Sequence, residues 1–284
     1  MSHSPYGTDL TILVTGATGT TGSRVVSRLT ALGHRVAAAS RRPAPRGGAE
    51  PVRFDWYDTA THADALRGAD RVYLIPPVGE PDPARVMLPF LRQARAAGVR
   101  RAVLLSSSAV PAGGPAVGQV HRELAGLFGE WAVLRPSWFM QNFTGQPGHV
   151  TSIRDHGLLF SATGRGRVGF VDADDIAAVA VHSLTDDPAP CGELVITGPE
   201  ALGYDDVAAV ITEVTGRPVT HRSLGFEQLR DRLAAGLPAE FAALLAGLDL
   251  AIAEGAEDRT TDTVERVTGR PPRAFRAFAE QTMR

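Results

Sequence analysis

An α/β fold built on a doubly wound parallel sheet is predicted by three features of this 284-residue chain. An apolar strand, Ile12-Leu13-Val14, runs straight into glycines spaced three apart, Gly16, Gly19 and Gly22, and a helical pattern follows from Ser23 to Leu32. Short apolar runs then alternate with helical patterns through the first half, as βαβ units require. Beyond about Gly198 helical patterns dominate, which adds a small, mostly helical C-terminal portion. The strand–glycine–helix order has a physical purpose. A tight turn leaves the strand, bare backbone admits a pyrophosphate, and the helix N-terminus offers unpaired N–H groups at the positive end of its dipole. It points to a dinucleotide on a Rossmann-type sheet, with strand and helix both in the expected places.

Strands are expected at Thr11–Thr15, Arg35–Ala39, Pro51–Phe54, Arg71–Ile75, Arg101–Ser106 and Trp131–Leu134, with a late strand at Glu193–Thr197 joining the same sheet. The first helix sets Val25, Val26 and Leu29 on one face. Asp82 to Ala97 does the same with Val86, Phe90, Leu91 and Ala94, and Pro89 is expected to kink this helix or to mark its start. Asp174–Leu184 is opened by acidic residues suited to a helix N-terminus. Further helices are expected at Tyr204–Thr215, Phe226–Ala235, Pro238–Glu254 and Pro272–Met283. The expected division is a dinucleotide-binding domain over 1–135 and 166–198, and a smaller substrate-binding portion over 136–165 and 199–284.

Bulk composition narrows the class. Hydrophobic residues make up 44% and charged residues 21%, enough for a sizeable core and unlike a disordered chain. A net charge of −2 offers no general attraction to nucleic acid or to an acidic membrane face. No apolar run approaches the roughly 20 residues that span a bilayer. Met1 to Asp9 is short and polar, without a basic segment leading into a secretory core. The single cysteine, Cys191, excludes an internal disulfide and a cysteine-based zinc site. A cytoplasmic protein acting on a small molecule, with no nucleic-acid or membrane partner, is the expectation. The chain contains no lysine, so every one of its 29 basic residues is arginine. Schiff-base catalysis and any mechanism needing a Tyr–Lys pair are thereby excluded.

Ligands of such sheets lie outside the carboxyl ends of the strands, so the loops there carry the candidates. Gly16, Gly19 and Gly22 shape the phosphate loop, with Thr18, Thr20 and Thr21 as phosphate partners. The second strand ends at Ser40-Arg41-Arg42, about 20 residues after the last glycine, where an NAD-preferring site places an acidic residue. No carboxylate lies between Asp9 and Glu50. Arg41 and Arg42 instead suit a 2′-phosphate, which points to NADPH/NADP+. After the third strand, Asp55 either accepts from the adenine amino group, with Trp56 against the ring, or caps a turn. Ile75-Pro76-Pro77-Val78 forms a stiff loop, with Pro76 and Pro77 toward the cofactor and Val78 toward substrate.

Ser106-Ser107-Ser108 ends the fifth strand. Ser106 is assigned to the cofactor, and Ser108 is the preferred hydroxyl for a substrate carbonyl or imine nitrogen. Ordinary turn serines are the alternative. His121, with Glu123 as its orienter, is either a proton donor or a surface histidine, since residues two apart do not share a helix face. Trp138, Phe139 and Asn142, beside Ser137 and Gln141, are either a substrate pocket wall or core with amide caps. In Val171-Asp172-Ala173-Asp174-Asp175 the Gly and distal Glu of a calcium loop are missing, and helix capping explains the aspartates better.

The Thr15–Gly22 loop, the Leu134–Phe143 block, FVDADDIAA at Phe170–Ala178, LVITGPEALGY at Leu194–Tyr204 and TDTVERVTGRPP at Thr261–Pro272 together resemble the NmrA-like branch of atypical short-chain dehydrogenases/reductases. Within it the chain looks most like NADPH-dependent reductases of the festuclavine/agroclavine dehydrogenase type, which reduce iminium intermediates. The branch also holds quinone reductases and non-catalytic sensors of the NADP redox state. The resemblance implies a Rossmann fold, NADP(H) and hydride transfer. The wider superfamily uses a Tyr-x-x-x-Lys pair. This chain departs from it, and none of Tyr6, Tyr57, Tyr73 and Tyr204 lies in the expected region. An iminium carbon carries its own electron sink and needs no donor acid. The departure therefore favours electrophilic C=N or conjugated substrates held by positioning alone.

Overall fold

The structure, a computed structural model, describes residues 10–45, 47–145 and 147–284, so the reading of Met1 to Asp9 lies outside the described residues. In chain order the first elements are β1 (Thr11–Val14), α1 (Thr20–Ala31), β2 (Arg35–Ser40), β3 (Glu50–Arg53), α2 (His62–Ala65), β4 (Arg71–Leu74), α3 (Ala84–Ala96), β5 (Arg101–Leu105), α4 (Gly118–Leu127) and β6 (Glu130–Pro136). There follow α5 (Pro147–His156), β7 (Leu158–Ser161), β8 (Arg167–Val168), α6 (Ala173–Thr185), β9 (Gly192–Ile196), β10 (Leu202–Gly203), α7 (Tyr204–Thr215), β11 (Thr220–Ser223), α8 (Phe226–Ala234), α9 (Ala239–Ala253), α10 (Thr263–Thr268) and α11 (Phe275–Thr282). No helix among the described residues is long and apolar enough to cross a membrane. The chain divides into two units, Met1–Pro136 with Ala173–Val195, and Ser137–Asp172 with Ile196–Arg284.

The first unit is the doubly wound sheet, a seven-stranded layer in the order β3-β2-β1-β4-β5-β6-β9. Every neighbouring pair from β3 through to β6 runs parallel. Helices cover both faces, so strands such as β1 read as unbroken apolar runs, and Ile12, Leu13 and Val14 are fully buried. One face packs Leu13, Leu74, Leu104 and Val133 against Met87, Phe90 and Leu91 of α3 and Leu124 of α4. On the other, α1 packs against α6. Pro51 is tolerated in β3 because that strand is the sheet edge. Pro89 does not start α3, which runs from Ala84 with the proline inside it. Its ring lies on the exposed side, and the buried apolar stripe offsets one missing hydrogen bond.

Arg101 is fully buried in this unit. Its Nε meets Glu130 at 2.6 Å, its Nη2 meets Asp187 at 2.7 Å, and its Nη1 donates to the carbonyls of Ser183, Leu184 and Asp186. A guanidinium so enclosed has its donors spoken for, and it ties β5 to the last turn of α6.

The second unit takes in more of the chain than the expected 136–165 and 199–284. Residues 166–172 leave the dinucleotide domain because β8 pairs antiparallel with β10, Val168 opposite Leu202, and Phe170 packs among Phe143, Tyr204 and Phe275. Gly198 likewise belongs here, its N–H reaching the Gly169 carbonyl at 3.2 Å. This portion is mostly helical but holds two small sheets, β8–β10 and the parallel pair β7–β11, that are too short to show a period in sequence. Its core is aromatic, with Phe275 and Phe278 of α11 packed beside Val207 and Ile211 of α7.

Two enclosed ionisable groups in this unit act oppositely with pH. The His149 ring stacks on Phe143, and burial pushes its pKa down to about 4 from 6.5. Asp249 accepts the Ala162 N–H at 2.8 Å, yet burial pushes its pKa up to about 6 from 3.8. A depressed histidine contributes stability that is present above pH 6.5 and lost as the pH falls toward 4. A raised aspartate does the reverse, costing stability as the pH rises from 3.8 through 6. We expect His149→Phe to expose a melting temperature that falls from pH 4 to 6, and Asp249→Asn to expose one that falls from pH 6.5 to 4. Each slope should total at most about 3 kcal/mol, with the parent protein flatter than either. Thermal melts across this range check it, and parallel profiles for all three proteins would refute it.

Candidate functional site

The glycine loop begins where β1 ends. Thr15, fully buried, donates from N–H and Oγ1 to the Tyr73 carbonyl and accepts the Ile75 N–H at 2.8 Å, which locks the exits of β1 and β4 together. Gly16 then turns with φ +60°, and a Cβ there would press on the Ile75 side chain at 3.1 Å. Ala17 N–H bonds the Ala39 carbonyl of β2 at 3.1 Å, and Gly19 N–H bonds the Gly16 carbonyl at 2.9 Å. Gly19 is the N-cap of α1 and supplies no capping side chain, while the first turn holds no acidic residue. The leading N–H groups of α1 are thus left for an outside acceptor, and the dipole favours an anion. At Gly22 a Cβ would sit 2.2 Å from the Gly16 carbonyl oxygen, so helix and loop touch backbone to backbone. These features fit a dinucleotide pyrophosphate.

Thr18 and Thr20 are exposed on this loop, whereas Thr21 is 2% exposed. Its hydroxyl turns inward beside the buried Tyr73 hydroxyl, which corrects the expectation that its side chain reaches a phosphate. Arg41 and Arg42 follow β2 and, with Thr18 and Ser40, line a cleft of about 430 Å³. Both are exposed, and among the described residues neither meets a carboxylate.

After β3, Asp55 uses Oδ1 to accept the Tyr57 N–H at 3.0 Å, as a turn aspartate does. Trp56 is withdrawn into the core against Phe54 and Phe90, and its Nε1–H reaches the Ile75 carbonyl at 3.1 Å. It anchors the loop after β3 to the loop after β4, so the expected free ring face for adenine is not there. Pro76 and Pro77 are half-buried in that second loop, and Val78 stands 94% exposed.

Past β5, Ser106 N–H bonds the Leu134 carbonyl at 2.7 Å, and its buried Oγ has no partner. Ser108 is buried and its N–H bonds the Pro136 carbonyl at 2.9 Å. His121, in α4, is 3% exposed and so is no surface histidine. Glu123 is exposed and pairs with Arg122, so it is not the orienter. That place is taken by Glu193 of β9, whose Oε1 lies 3.2 Å from His121 Nε2 and whose Oε2 lies 2.5 Å from Arg135 Nη1. Burial, with the Arg135 charge, lowers the His121 pKa against the opposing pull of Glu193. Sequence spacing carried no sign of Arg135 or Glu193, which come from strands 58 residues apart.

In the second unit, Ser137 is buried, and Trp138, Phe139 and Asn142 are half-buried. Phe139 bridges to Val171, and Trp138 packs on the aromatic core. Gln141 donates to Asp172 at 2.8 Å, and Arg273 reaches the same carboxylate at 2.7 Å. Asp172 is fully buried and stands just before α6, where Gln141 and Arg273 converge on it. No local motif reveals it, because its partners lie 31 and 101 residues away.

A family model described as NAD(P)H-binding matches residues 16–187. The chain is 46% identical to the Bacillus subtilis protein named uncharacterized oxidoreductase YesF, over 94% of this chain and 93% of that one. It is 38% identical to festuclavine dehydrogenase easG of Aspergillus fumigatus, over 96% and 97% respectively. Among solved structures, the NADPH complex of the Escherichia coli NADPH-dependent quinone oxidoreductase QOR2 has a TM-score of 0.82 at 23% identity, covering 96% of this chain and 100% of that one. That last likeness concerns the fold.

The contact at Gly22 generates a test. Gly22→Ala places a methyl against backbone that cannot yield without moving the loop. It should cost about 1–3 kcal/mol of stability and raise the NAD(P)H dissociation constant by about tenfold or more. Fluorescence titration with a parallel melt checks it, and unaltered binding would remove the close approach from the account.

Proposed function

We propose, for a chain that belongs to the NAD(P)H-binding family in its NmrA-like branch of atypical short-chain dehydrogenases/reductases, that this oxidoreductase uses NADPH to reduce a small electrophilic C=N or conjugated substrate, in specialised metabolism. NADPH, when bound, supplies the hydride. The protein's part is to hold, orient and keep the site dry. Gly16, Gly19 and Gly22 shape the phosphate loop, with Thr18 and Thr20 hydroxyls and the α1 N–H groups as donors. Arg41 and Arg42 hold the 2′-phosphate through paired N–H donors. Asp55 keeps the adenine edge, Pro76, Pro77 and Ser106 the remaining cofactor contacts, and Ser108 offers a hydrogen bond to the reacting group. Val78, Trp138, Phe139 and Asn142 contact substrate.

The observation that carries the reading is a missing acid. The chain has no lysine. Of the described tyrosines, Tyr73 and Tyr204 are buried, and Tyr57 bonds Glu80 at 2.6 Å in the loops after β3 and β4. A ketone needs a proton as its alkoxide develops, whereas an iminium becomes neutral on taking hydride and a conjugated acceptor spreads the charge it gains over its π system, so both depend less on a placed acid. The relatives named festuclavine synthase I and agroclavine dehydrogenase support an oxidoreductase, and the C=N reading rests on the family resemblance and the missing acid.

Stopped-flow oxidation of NADPH with cyclic imines, enones and quinones tests this reading, and imines should be turned over fastest. Faster quinone turnover would move the protein to that class. Silence toward all of them, with NADP+ and NADPH bound at different affinities, would make it a redox sensor. Arg41→Ala should weaken NADPH by about 10- to 100-fold and leave NADH nearly unaffected. Equal losses in the two titrations would sink the 2′-phosphate assignment.

A further inference from the structure

We propose that Glu193, Arg135 and His121 form a positioning relay that sets the Ser106–Ser108 loop, and that none of the three touches the reacting atoms. The proposal deepens the reductase reading and rests on it. The loop continues β5 beyond its last strand residue, at the carboxyl end of the sheet where ligands of open α/β folds bind. Its N–H groups at Ser106 and Ser108 extend the pairing with β6. Its carbonyls are taken by one guanidinium, with Arg135 Nε donating to Ser107 O at 3.3 Å and Nη2 to Ser108 O at 2.8 Å. The planar fork of arginine offers two donors of fixed geometry to these consecutive carbonyls, which the single nitrogen of an ammonium does not reproduce.

The Arg135 side chain is 16% exposed, so its charge needs a counterion, and Glu193 supplies it through Oε2. The other oxygen of Glu193 faces His121 Nε2. A carboxylate there places the imidazole proton on Nε2, and Nδ1 is left buried without a partner. His121 is therefore a donor to Glu193 and not a proton source for substrate, which replaces the acid role expected from sequence. The charged groups acting on its ring are Glu193 of β9 and Arg135 of β6. Through one carboxylate the relay joins α4, the end of β6 and β9 to the serine loop. Within that loop the Ser106 Oγ, buried and unpartnered, keeps its hydrogen-bonding capacity for a ligand.

The test uses Glu193→Ala, Glu193→Gln and Arg135→Lys in the full chain. In Glu193→Ala and Arg135→Lys, kcat should fall by about 10- to 100-fold, as small misplacements of a site do, with the NADPH dissociation constant within about twofold. Lysine restores charge but not the fork, so its failure to rescue separates positioning from simple neutralisation. Glu193→Gln should fall between the parent and Glu193→Ala. Parent-like kcat in folded Glu193→Ala and Arg135→Lys would overturn the proposal, and so would losses that track only a reduced folded fraction. Two-bond proton–nitrogen correlation on His121 gives a readout that needs no substrate. The Nε2–H tautomer should be present in the parent and lost in Glu193→Ala, together with shifts of the Ser107 and Ser108 amides. If no substrate is ever reduced, the reductase reading fails, and an unchanged tautomer in Glu193→Ala would separately overturn the relay.

Discussion

The backbone contact between Gly22 and Gly16 is the constraint on which the cofactor end of the protein depends. With a Cβ at Gly22 only 2.2 Å from the Gly16 oxygen, α1 can start where it does only if that Cβ is absent. The start of α1 in turn decides where its unpaired N–H groups point. Thr15 and Ala17 hold the loop from the other side, through the Tyr73 and Ala39 carbonyls. The loop is thus fixed to β1, β2 and β4 before any ligand arrives, and little ordering entropy remains to be lost on binding.

Because the chain has no lysine, its fixed positive charges are all planar forks. Arg101 gathers three carbonyls and two carboxylates in the first unit, Arg135 two carbonyls and a carboxylate. Arg273 grips Asp172 in the second. Arg101 and Arg135 do what a point charge does poorly, joining segments distant in sequence by several donors of fixed geometry. Arg41 and Arg42 differ in having no carboxylate among the described residues, which leaves their donors available to a phosphate. The same composition removes the usual acid of the wider superfamily. In the proposed reaction the site would then work by how well it positions an electrophile.

Much of the fold was legible in the chain. The strands of the main sheet were visible as short runs alternating with helical patterns, and the helix Tyr204–Thr215 by its apolar period. The two-residue strands β8 and β10 were not, being too short to carry a period, and neither was β11, whose Thr-His-Arg-Ser holds no apolar residue to mark it. Thr21 and Trp56 lie beside loops that the sequence marks clearly, yet their side chains turn to the core. Whether a side chain at a loop faces a ligand or the core depends on what packs behind it, here Tyr73 and Phe90.

By itself the sequence determined the glycine loop after β1, the arginine pair after β2 and the absence of a Tyr–Lys acid, because each is a matter of local spacing or of composition. Tertiary structure alone decided that His121 answers to Glu193 and not to Glu123, that Gln141 and Arg273 converge on the buried Asp172, and that residues 166–172 belong to the second unit. The reason is range. A helix or turn is set by neighbours a few residues away, whereas a buried charge must find its counter-charge wherever the fold brings one, 58 residues off for Arg135 and 101 for Asp172.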